Sequence, residues 1–315
     1  MKIAVLDAAT LGEDLDLSPL NRLGEVDVYP TTAPEKVAER VADAEVVLIN
    51  KVKLNAGNLS GAKNLKFIGI FATGFDPVDL DYCRANGIGV SNVVGYSTNN
   101  VAQITIAMAM ELVNHMTEFT NFVYDGSYSA SGVANKLSPT YHEFAGKKWG
   151  IVGYGNIGRK VASIAKALDC EIMAFKRTPE EGVNCVDLDT ICRESDIISI
   201  HLPLNDSTRG IISAEKIALM KKNAIVINVG RGAETDEAAL AAAIKEDRIA
   251  GLGVDVYSVE PFPTEHPFTE IMNLPNVCLT PHLAWGSYEA RERCLDEVIK
   301  NIEAFYNGER RCRVD

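Results

Sequence analysis

The sequence has no excess of basic residues, no closely paired cysteines and no long apolar run. Its 31 Lys and Arg against 43 Asp and Glu give a formal net charge of −12, which argues against nucleic acid or an anionic membrane as partner. Seven cysteines, an odd number without a C-x-x-C pair, predict reduced thiols in a cytoplasmic protein, and no metal site is expected. The longest apolar segment, Val101 to Val113, is interrupted by Gln103 and Glu111, and no signal-peptide core follows Met1. A small molecule is therefore the expected partner.

Histidine is also scarce, so the candidates for acid–base chemistry can be compared one by one. His115 is expected to pack inside a buried helix, His142 lies in an irregular connection, and His266 lies in a proline-rich turn. His201 and His282 each follow a predicted strand, at the sheet edge where ligands bind in α/β proteins. The position in the chain does not distinguish between these two.

The most informative motif present is the glycine turn in the segment WGIVGYGNIG, residues 149–158. Gly153, Gly155 and Gly158 fit G-x-G-x-x-G, in which the glycines give a tight turn, a close approach to a pyrophosphate and close helix packing. An apolar strand precedes the turn and an amphipathic helix follows it, with a second strand at Glu171 to Phe175. This context predicts a dinucleotide-binding fold.

Strands and helices alternate on both sides of this turn, which predicts parallel sheets covered by helices on both faces. Before the turn, strands are predicted at Lys2 to Leu6, Val26 to Tyr29, Val46 to Ile49, Phe67 to Ile70 and near Gly89-Val90. After it, further strands are predicted at Asp196 to Ile200, Ala224 to Asn228, Gly251 to Val254 and Val277 to Leu279. One long buried helix is expected from Asn100 to about Val123, and a last helix from Tyr288 to Tyr306 should return to the first domain.

These patterns predict two doubly wound α/β domains, with a Rossmann cofactor domain inserted in a discontinuous flavodoxin-like substrate domain. The substrate domain comprises residues 1–99 and 286–315, and the NAD(P)-binding domain comprises residues 100–285. The two crossings between them are expected to act as a hinge.

Charged residues follow two of the later strands. Arg231 lies between glycines just past one strand, where its guanidinium can form paired bonds to a carboxylate. Asp255 ends the next strand, and Glu260 stands just before a proline. The order of these groups, one after each successive strand, favours a functional site.

At this point the chain resembles the D-isomer-specific 2-hydroxyacid dehydrogenases of the hydroxypyruvate and glyoxylate reductase kind. The resemblance covers nearly the whole length. It rests on the segments ATGFD at 72–76, VGYGNIG at 152–158, HLPL at 201–204, NVGRG at 228–232, DVYSVEP at 255–261 and PHLAW at 281–285.

The resemblance implies a catalytic set of Arg231, Glu260 and His282, and makes His201 a residue of the cleft wall. The substrate would be held by Arg231 and His282 together with four residues of the first domain, namely Lys51, Val52, Thr73 and Gly74. The implied cofactor contacts are Thr73, Gly153, Gly155, Asn156, Ile157, Gly158, Lys176, Arg177, Thr178, His201, Leu202, Val229, Gly230, Arg231, Asp255, His282 and Trp285.

These residue types suit the reduction of a 2-oxo acid. His282 can supply a proton to the developing alkoxide, and the Glu260 carboxylate favours its imidazolium form. Arg231 can bind the substrate carboxylate and polarise the carbonyl. Hydroxypyruvate or glyoxylate is the expected substrate, with a D-lactate-like or branched 2-oxo acid reductase as the alternative. A dinucleotide-sensing binding protein of the corepressor type is a second alternative, which the complete catalytic set disfavours.

The cofactor loop departs from the pattern of NAD enzymes. Where these place an acid for the ribose diol, eighteen residues past Gly158, this chain has Lys176, Arg177 and Thr178. These groups can accept a 2′-phosphate, so NADP(H) is favoured over NAD(H), with a cofactor-neutral basic loop as the alternative.

A homodimer is also expected. The segment from Asp125 to Gly146 is poorly periodic, and it and its neighbour Tyr124 carry three tyrosines suited to an interface.

Overall fold

The computed structural model describes residues 1–315 and divides the chain into two compact units. The first unit is Met1–Ser97 together with Gly286–Asp315, and the second is Thr98–Trp285. The chain thus leaves the first unit once and returns to it once. Both sheets are wholly parallel, so the predicted α/β class with two parallel-sheet units is confirmed.

The sheet of the first unit has five strands in the order β2-β1-β3-β4-β5. Their bounds are β1 Lys2–Val5, β2 Glu25–Val28, β3 Val46–Ile49, β4 Phe67–Ile70 and β5 Gly89–Ser91. This is the flavodoxin-like order. The central strands β3 and β4 are buried along their whole length, which explains why their sequences are continuous apolar runs.

Short helices connect these strands. They are α1 Val37–Val41, α2 Ala56–Leu59 and α3 Leu80–Ala85, with 3₁₀ turns at Ala8–Leu11, Ser18–Arg22 and Pro34–Lys36. The long helix α11, Tyr288–Tyr306, completes the unit with the predicted bounds. The Ser287 hydroxyl caps its first turn by accepting from the Ala290 N–H at 3.3 Å. Its apolar face, which includes Leu295, Val298 and Ile302, is buried and packs against β4.

The sheet of the second unit has six strands in the order β11-β10-β9-β8-β6-β7. Their bounds are β6 Lys148–Val152, β7 Glu171–Phe175, β8 Ile197–Ile200, β9 Ile225–Asn228, β10 Gly251–Val254 and β11 Val277–Leu279. A single parallel bridge from Ala174 to Cys185 lies beyond β7. If the segment at Cys185 is counted as a further strand next to β7, the sheet has the Rossmann order. The third strand of that order is then reduced to this single residue pair.

The second unit has seven helices. They are α4 Thr98–Asn114, α5 Met116–Tyr124, α6 Ser127–Ser131, α7 Asn156–Ala167, α8 Leu188–Glu194, α9 Ala214–Ala218 and α10 Glu237–Lys245. Of these, α4, α7, α8 and α10 pack against its sheet. Two 3₁₀ turns occupy Gly232–Glu234 and Pro267–Glu270. No helix of the protein combines the length and apolar character needed to cross a bilayer.

The expectation of one helix from Asn100 to Val123 was wrong. The backbone breaks at His115, whose φ of 51° is left-handed, and α5 begins at the next residue. Helix α4 is buried against α7 and the sheet as expected, whereas α5 has no buried residue. His115 therefore lies half-buried at the break rather than packed inside a helix, because apolar spacing alone does not reveal a single left-handed residue.

Candidate functional site

The glycine turn joins β6 to α7 as predicted. Gly153 has a φ of +101°, which only glycine adopts readily, and a side chain at Gly158 would collide with the Gly153 carbonyl oxygen. A side chain at Gly155 would meet nothing within 4 Å, so open space lies in front of the first amides of a helix twelve residues long. A helix N-terminus with exposed amides attracts anions, and this turn therefore fits the pyrophosphate of a dinucleotide.

Arg231 lies directly beyond β9 in a loop built from hydrogen bonds to its backbone. Asn228 Nδ2 donates to the Arg231 carbonyl at 2.9 Å, and the Arg231 N–H donates to the Glu234 carboxyl at 3.0 Å. Its guanidinium Nη1 donates to the Gly230 carbonyl at 2.8 Å. The remaining guanidinium donors give the planar fork that binds a carboxylate.

Glu234 is completely buried beneath this loop. One carboxyl oxygen accepts from Arg231, and the other, Oε1, has no partner. Burial raises the pKa of this group to about 7, against the lowering effect of the Arg231 N–H and charge. Burial therefore favours the protonated form of Glu234 beneath the arginine loop.

His282 and Glu260 form a direct pair. The His282 Nδ1 lies 2.6 Å from Glu260 Oε2, and Glu260 Oε1 accepts from the Tyr257 N–H at 3.0 Å. The carboxylate fixes the proton on Nδ1, so Nε2 is the nitrogen that can exchange a proton with a ligand. The strands β9, β10 and β11 are neighbours in the sheet, so the loops carrying Arg231, Glu260 and His282 follow three adjacent strand ends.

The arginine and glutamate loops also touch directly. A side chain at Gly232 would collide with the backbone of Tyr257 and Ser258. Only glycine permits this approach. The spacing between the Arg231 loop and the Glu260 loop is therefore set by backbone contact.

Asp255 holds the loop that carries His282. Its carboxylate accepts from the Thr280 hydroxyl at 2.6 Å and from the N–H groups of Leu283 and Ala284 at 2.8 and 2.9 Å. His282 itself has a left-handed φ of 54°, a conformation that costs energy outside glycine and clusters at functional sites. Asp255 thus positions His282 by holding residues on either side of it.

His201 has different surroundings. Its Nε2 lies 2.9 Å from Ser199 Oγ, which also accepts from the Trp149 indole at 2.9 Å. Burial lowers the pKa of His201 to about 3, which favours a neutral ring near pH 7 and disfavours His201 as the general acid. Its Nδ1 is buried without a partner in the protein, which fits a residue that borders a ligand. These contacts distinguish the two strand-end histidines.

The other predicted cofactor residues belong to this same unit, except Thr73, which lies in the first unit. Leu202, Val229 and Gly230 follow the ends of β8 and β9, and Trp285 follows the His282 loop. Lys176 pairs with Glu180 beyond β7, while Arg177 and Thr178 are exposed. Of the two remaining histidines, His142 is exposed and His266 is buried against Glu237.

The predicted substrate residues Lys51, Val52, Thr73 and Gly74 belong to the first unit. Buried Asp7 at the end of β1 accepts from three consecutive backbone N–H groups, those of Asn50, Lys51 and Val52, at 2.9, 2.6 and 3.0 Å. The Thr73 hydroxyl donates to the Val93 carbonyl at 2.8 Å, which fixes its loop. Both predicted substrate loops are thus held by internal hydrogen bonds.

Sequence reasoning did not identify four supporting residues, namely Asp7, Glu180, Ser199 and Glu234. An acid two residues past β1 was a usable signal for Asp7, and an acid four residues past Lys176 was one for the pairing of Glu180 with Lys176. Ser199 and Glu234 gave no such signal, since their roles depend on burial.

A dinucleotide turn together with a His–Glu pair and an arginine at adjacent strand ends defines a nicotinamide-dependent oxidoreductase. The model of the family described as "D-isomer specific 2-hydroxyacid dehydrogenase, NAD binding domain" matches residues 106–284. A glycerate dehydrogenase of Methylorubrum extorquens is 37% identical over 308 residues, covering 98% of this chain and 96% of that protein. A hydroxypyruvate reductase of Blautia hydrogenotrophica is 35% identical and covers 98% of each chain.

A solved structure of an acyclic imino acid reductase (Bsp5) in complex with NADPH and D-Arg superposes over all of both chains, with a TM-score of 0.86 and 28% identity. The chain belongs to the D-isomer-specific 2-hydroxyacid dehydrogenase family. It is an enzyme that transfers a hydride between a nicotinamide cofactor and a small 2-oxo or 2-hydroxy acid. The corepressor-like alternative is thereby set aside.

Proposed function

We propose that this enzyme reduces hydroxypyruvate or glyoxylate, with Arg231, Glu260 and His282 as the catalytic set. The observation that carries the catalytic assignment is the 2.6 Å contact between His282 Nδ1 and Glu260 Oε2, at the strand end next to the Arg231 loop. The names of the two relatives, a glycerate dehydrogenase and a hydroxypyruvate reductase, support the substrate, because glycerate is the reduced form of hydroxypyruvate.

In the proposed reaction the Arg231 guanidinium binds the substrate carboxylate through two parallel N–H bonds. The bound nicotinamide supplies or accepts the hydride at the substrate carbon. His282 gives its Nε2 proton to the substrate oxygen during reduction and takes it back during oxidation. Glu260 stabilises the imidazolium through Nδ1, and Asp255 holds the loop so that the ring keeps this orientation.

We assign the substrate role to the first unit and the cofactor role to the second. Within the first unit, Asp7 keeps the backbone of Lys51 and Val52 in place, so the lysine can offer a positive charge to an anion. Within the second, the glycine turn would hold the pyrophosphate, while Val229, Gly230 and the neutral His201 would border the cofactor.

We further propose NADP(H) as the favoured cofactor. Lys176, Arg177 and Thr178 follow β7, where the group that reads the adenosine ribose stands in this fold.

The test is a panel of 2-oxo acids assayed with NADPH and with NADH. Hydroxypyruvate, glyoxylate, pyruvate and a branched 2-oxo acid are compared by kcat/KM, with His282→Ala as the control for background turnover. The proposal expects hydroxypyruvate or glyoxylate to rank first and NADPH to exceed NADH. A preference for pyruvate or for the branched acid would favour the D-lactate-like or branched-acid alternative.

We also propose a homodimer formed through α5 and the segment that follows it. This region exposes large apolar side chains, including Met116 (54%), Tyr124 (83%) and Leu137 (70%), an arrangement typical of interfaces. Light scattering at micromolar concentration should give twice the chain mass, and Tyr124→Asp with Leu137→Asp should give a monomer. The seven free thiols suit a reducing compartment, so we place the protein in the cytoplasm.

A further inference from the structure

The carboxylate of Glu180 is held by two cations beyond the end of β7. Arg159, the residue after Gly158, donates from Nη1 to Oε1 and from Nη2 to Oε2, the latter at 2.5 Å. Lys176, the residue after β7, donates from Nζ to Oε2. These bonds, first from Arg159 and then from Lys176, lower the pKa of Glu180 to about 2, so the carboxylate is ionised at neutral pH.

These two cations stand where the fold reads the adenosine ribose. In dinucleotide-binding units, the residue about twenty positions past the third glycine determines whether a free 2′-hydroxyl or a 2′-phosphate is accepted. Lys176 occupies that place in this chain, and Arg159 lies in the first turn of α7. A guanidinium fork and an ammonium group are together suited to a phosphate.

Glu180 already uses the donors that a phosphate would need. Its carboxylate takes both Nη atoms of Arg159 as well as Lys176 Nζ, and a second anion at the same donors would be repelled. The Glu180 side chain is 29% exposed, so it has a route into solvent. Arg159 lies 5.1 Å from the centre of the Tyr154 ring, a cation–π contact that does not involve Glu180.

We propose that Glu180 is an internal competitor of the 2′-phosphate and sets how strongly the enzyme discriminates between NADPH and NADH. The inference rests on the cofactor site of the proposed function and deepens it. NADPH must displace the carboxylate from Arg159 and Lys176, whereas NADH leaves it in place. The glutamate therefore lowers a preference for NADPH that the basic residues would otherwise give.

The test compares Glu180→Gln with Glu181→Gln, which removes the same charge from an exposed neighbour in the same loop. The dissociation constants of NADPH and NADH are measured by calorimetry, so no substrate is needed. Glu180→Gln should lower the ratio of the NADPH constant to the NADH constant by about tenfold, the size of one charge-assisted contact. Glu181→Gln should change it by less than about twofold, since salt screens a charge without a direct contact.

The ratio of the dissociation constants of adenosine 2′,5′-bisphosphate and AMP should shift in the same way. Neither ligand has a nicotinamide, so this ratio reports on the phosphate site alone. An unchanged ratio in Glu180→Gln, or an equal shift in Glu181→Gln, would overturn the proposal. Far-UV circular dichroism verifies folding. Should Glu180→Gln not fold, Glu180→Ala provides a second test, because it should lower the ratio in the same direction, and an unaltered ratio would also overturn the proposal. Since these are binding constants, they remain decisive whichever 2-oxo acid the enzyme reduces.

Discussion

Replacing Glu234 with glutamine should remove a pH-dependent loss of stability from the second unit. The carboxyl group is fully buried, and only one of its oxygens has a partner. Glutamine has the shape of the protonated acid, and its oxygen can still accept from the Arg231 N–H. The substitution therefore leaves the arginine loop supported while preventing ionisation.

The size of the effect follows from the raised pKa of Glu234. Burial moves it from 4.5 in the unfolded chain to about 7 in the folded protein. Between these values the native state binds a proton that the unfolded state has released, so stability decreases as the pH rises. At about 1.4 kcal/mol for each pKa unit, the loss reaches roughly 3 kcal/mol by pH 8 and is absent below pH 4.5.

Urea unfolding from pH 5 to pH 8 measures this directly. Both tryptophans, Trp149 and Trp285, belong to the second unit, so their fluorescence follows the unfolding of that unit. The free energy of unfolding of Glu234→Gln should exceed that of the wild type by roughly 3 kcal/mol at pH 8 and by much less at pH 5. Glu181→Gln, at an exposed site, should stay within about 0.5 kcal/mol of the wild type throughout. If Glu234→Gln were less stable than the wild type at pH 8, Glu234 would be ionised and favourably paired, and the reasoning from burial would be refuted.

Three further outcomes are expected. His282→Ala should lower kcat by about 10²–10⁴-fold at every pH, whereas His201→Ala should retain far more turnover, and the reverse order would exchange their roles. Arg231→Lys keeps the charge but not the planar fork, so the KM for the 2-oxo acid should rise by about 10–100-fold while the dissociation constant of the cofactor, measured by calorimetry, stays nearly constant. Asp7→Asn replaces an oxygen that accepts backbone N–H groups near Lys51. Urea unfolding followed by circular dichroism should show a free energy of unfolding lower by about 2 kcal/mol. An unchanged unfolding curve would mean that this loop does not depend on the carboxylate.

The strands were predictable because each has a local signal, and the candidate site residues were singled out by their place after those strands. Short apolar runs between polar turns gave the strands, and Val46–Ile49 and Phe67–Ile70 agree to the residue with the expected bounds. Arg231 and His282 were proposed as site residues because each stands three positions past the end of such a run. The direct contact between His282 and Glu260 could be expected from the order of the strands, since parallel strand ends meet at one edge of the sheet.

The supporting carboxylates could not be predicted in the same way. Glu234 is an acid in a polar loop, and only the fold shows that it is buried with one oxygen unpartnered. For Glu180 the pairing with Lys176 had a local signal, but the contact with Arg159, 21 positions earlier in the chain, had none. The break at His115 was missed for a different reason, because one left-handed residue leaves the apolar spacing on either side unchanged.

The three proposed catalytic groups all fall between residues 228 and 285, in loops that follow strands consecutive in the chain and adjacent in the sheet. Neighbouring strands are about 4.8 Å apart, so the sheet itself fixes the lateral spacing of the groups. Lengthening the connections that cross the faces of the sheet, such as the one through Glu237–Lys245, would leave that spacing intact. This stretch of the gene is consequently a natural unit for recombination between relatives, in which the three proposed catalytic groups would be inherited together while the proposed substrate loop around Lys51 came from the other parent.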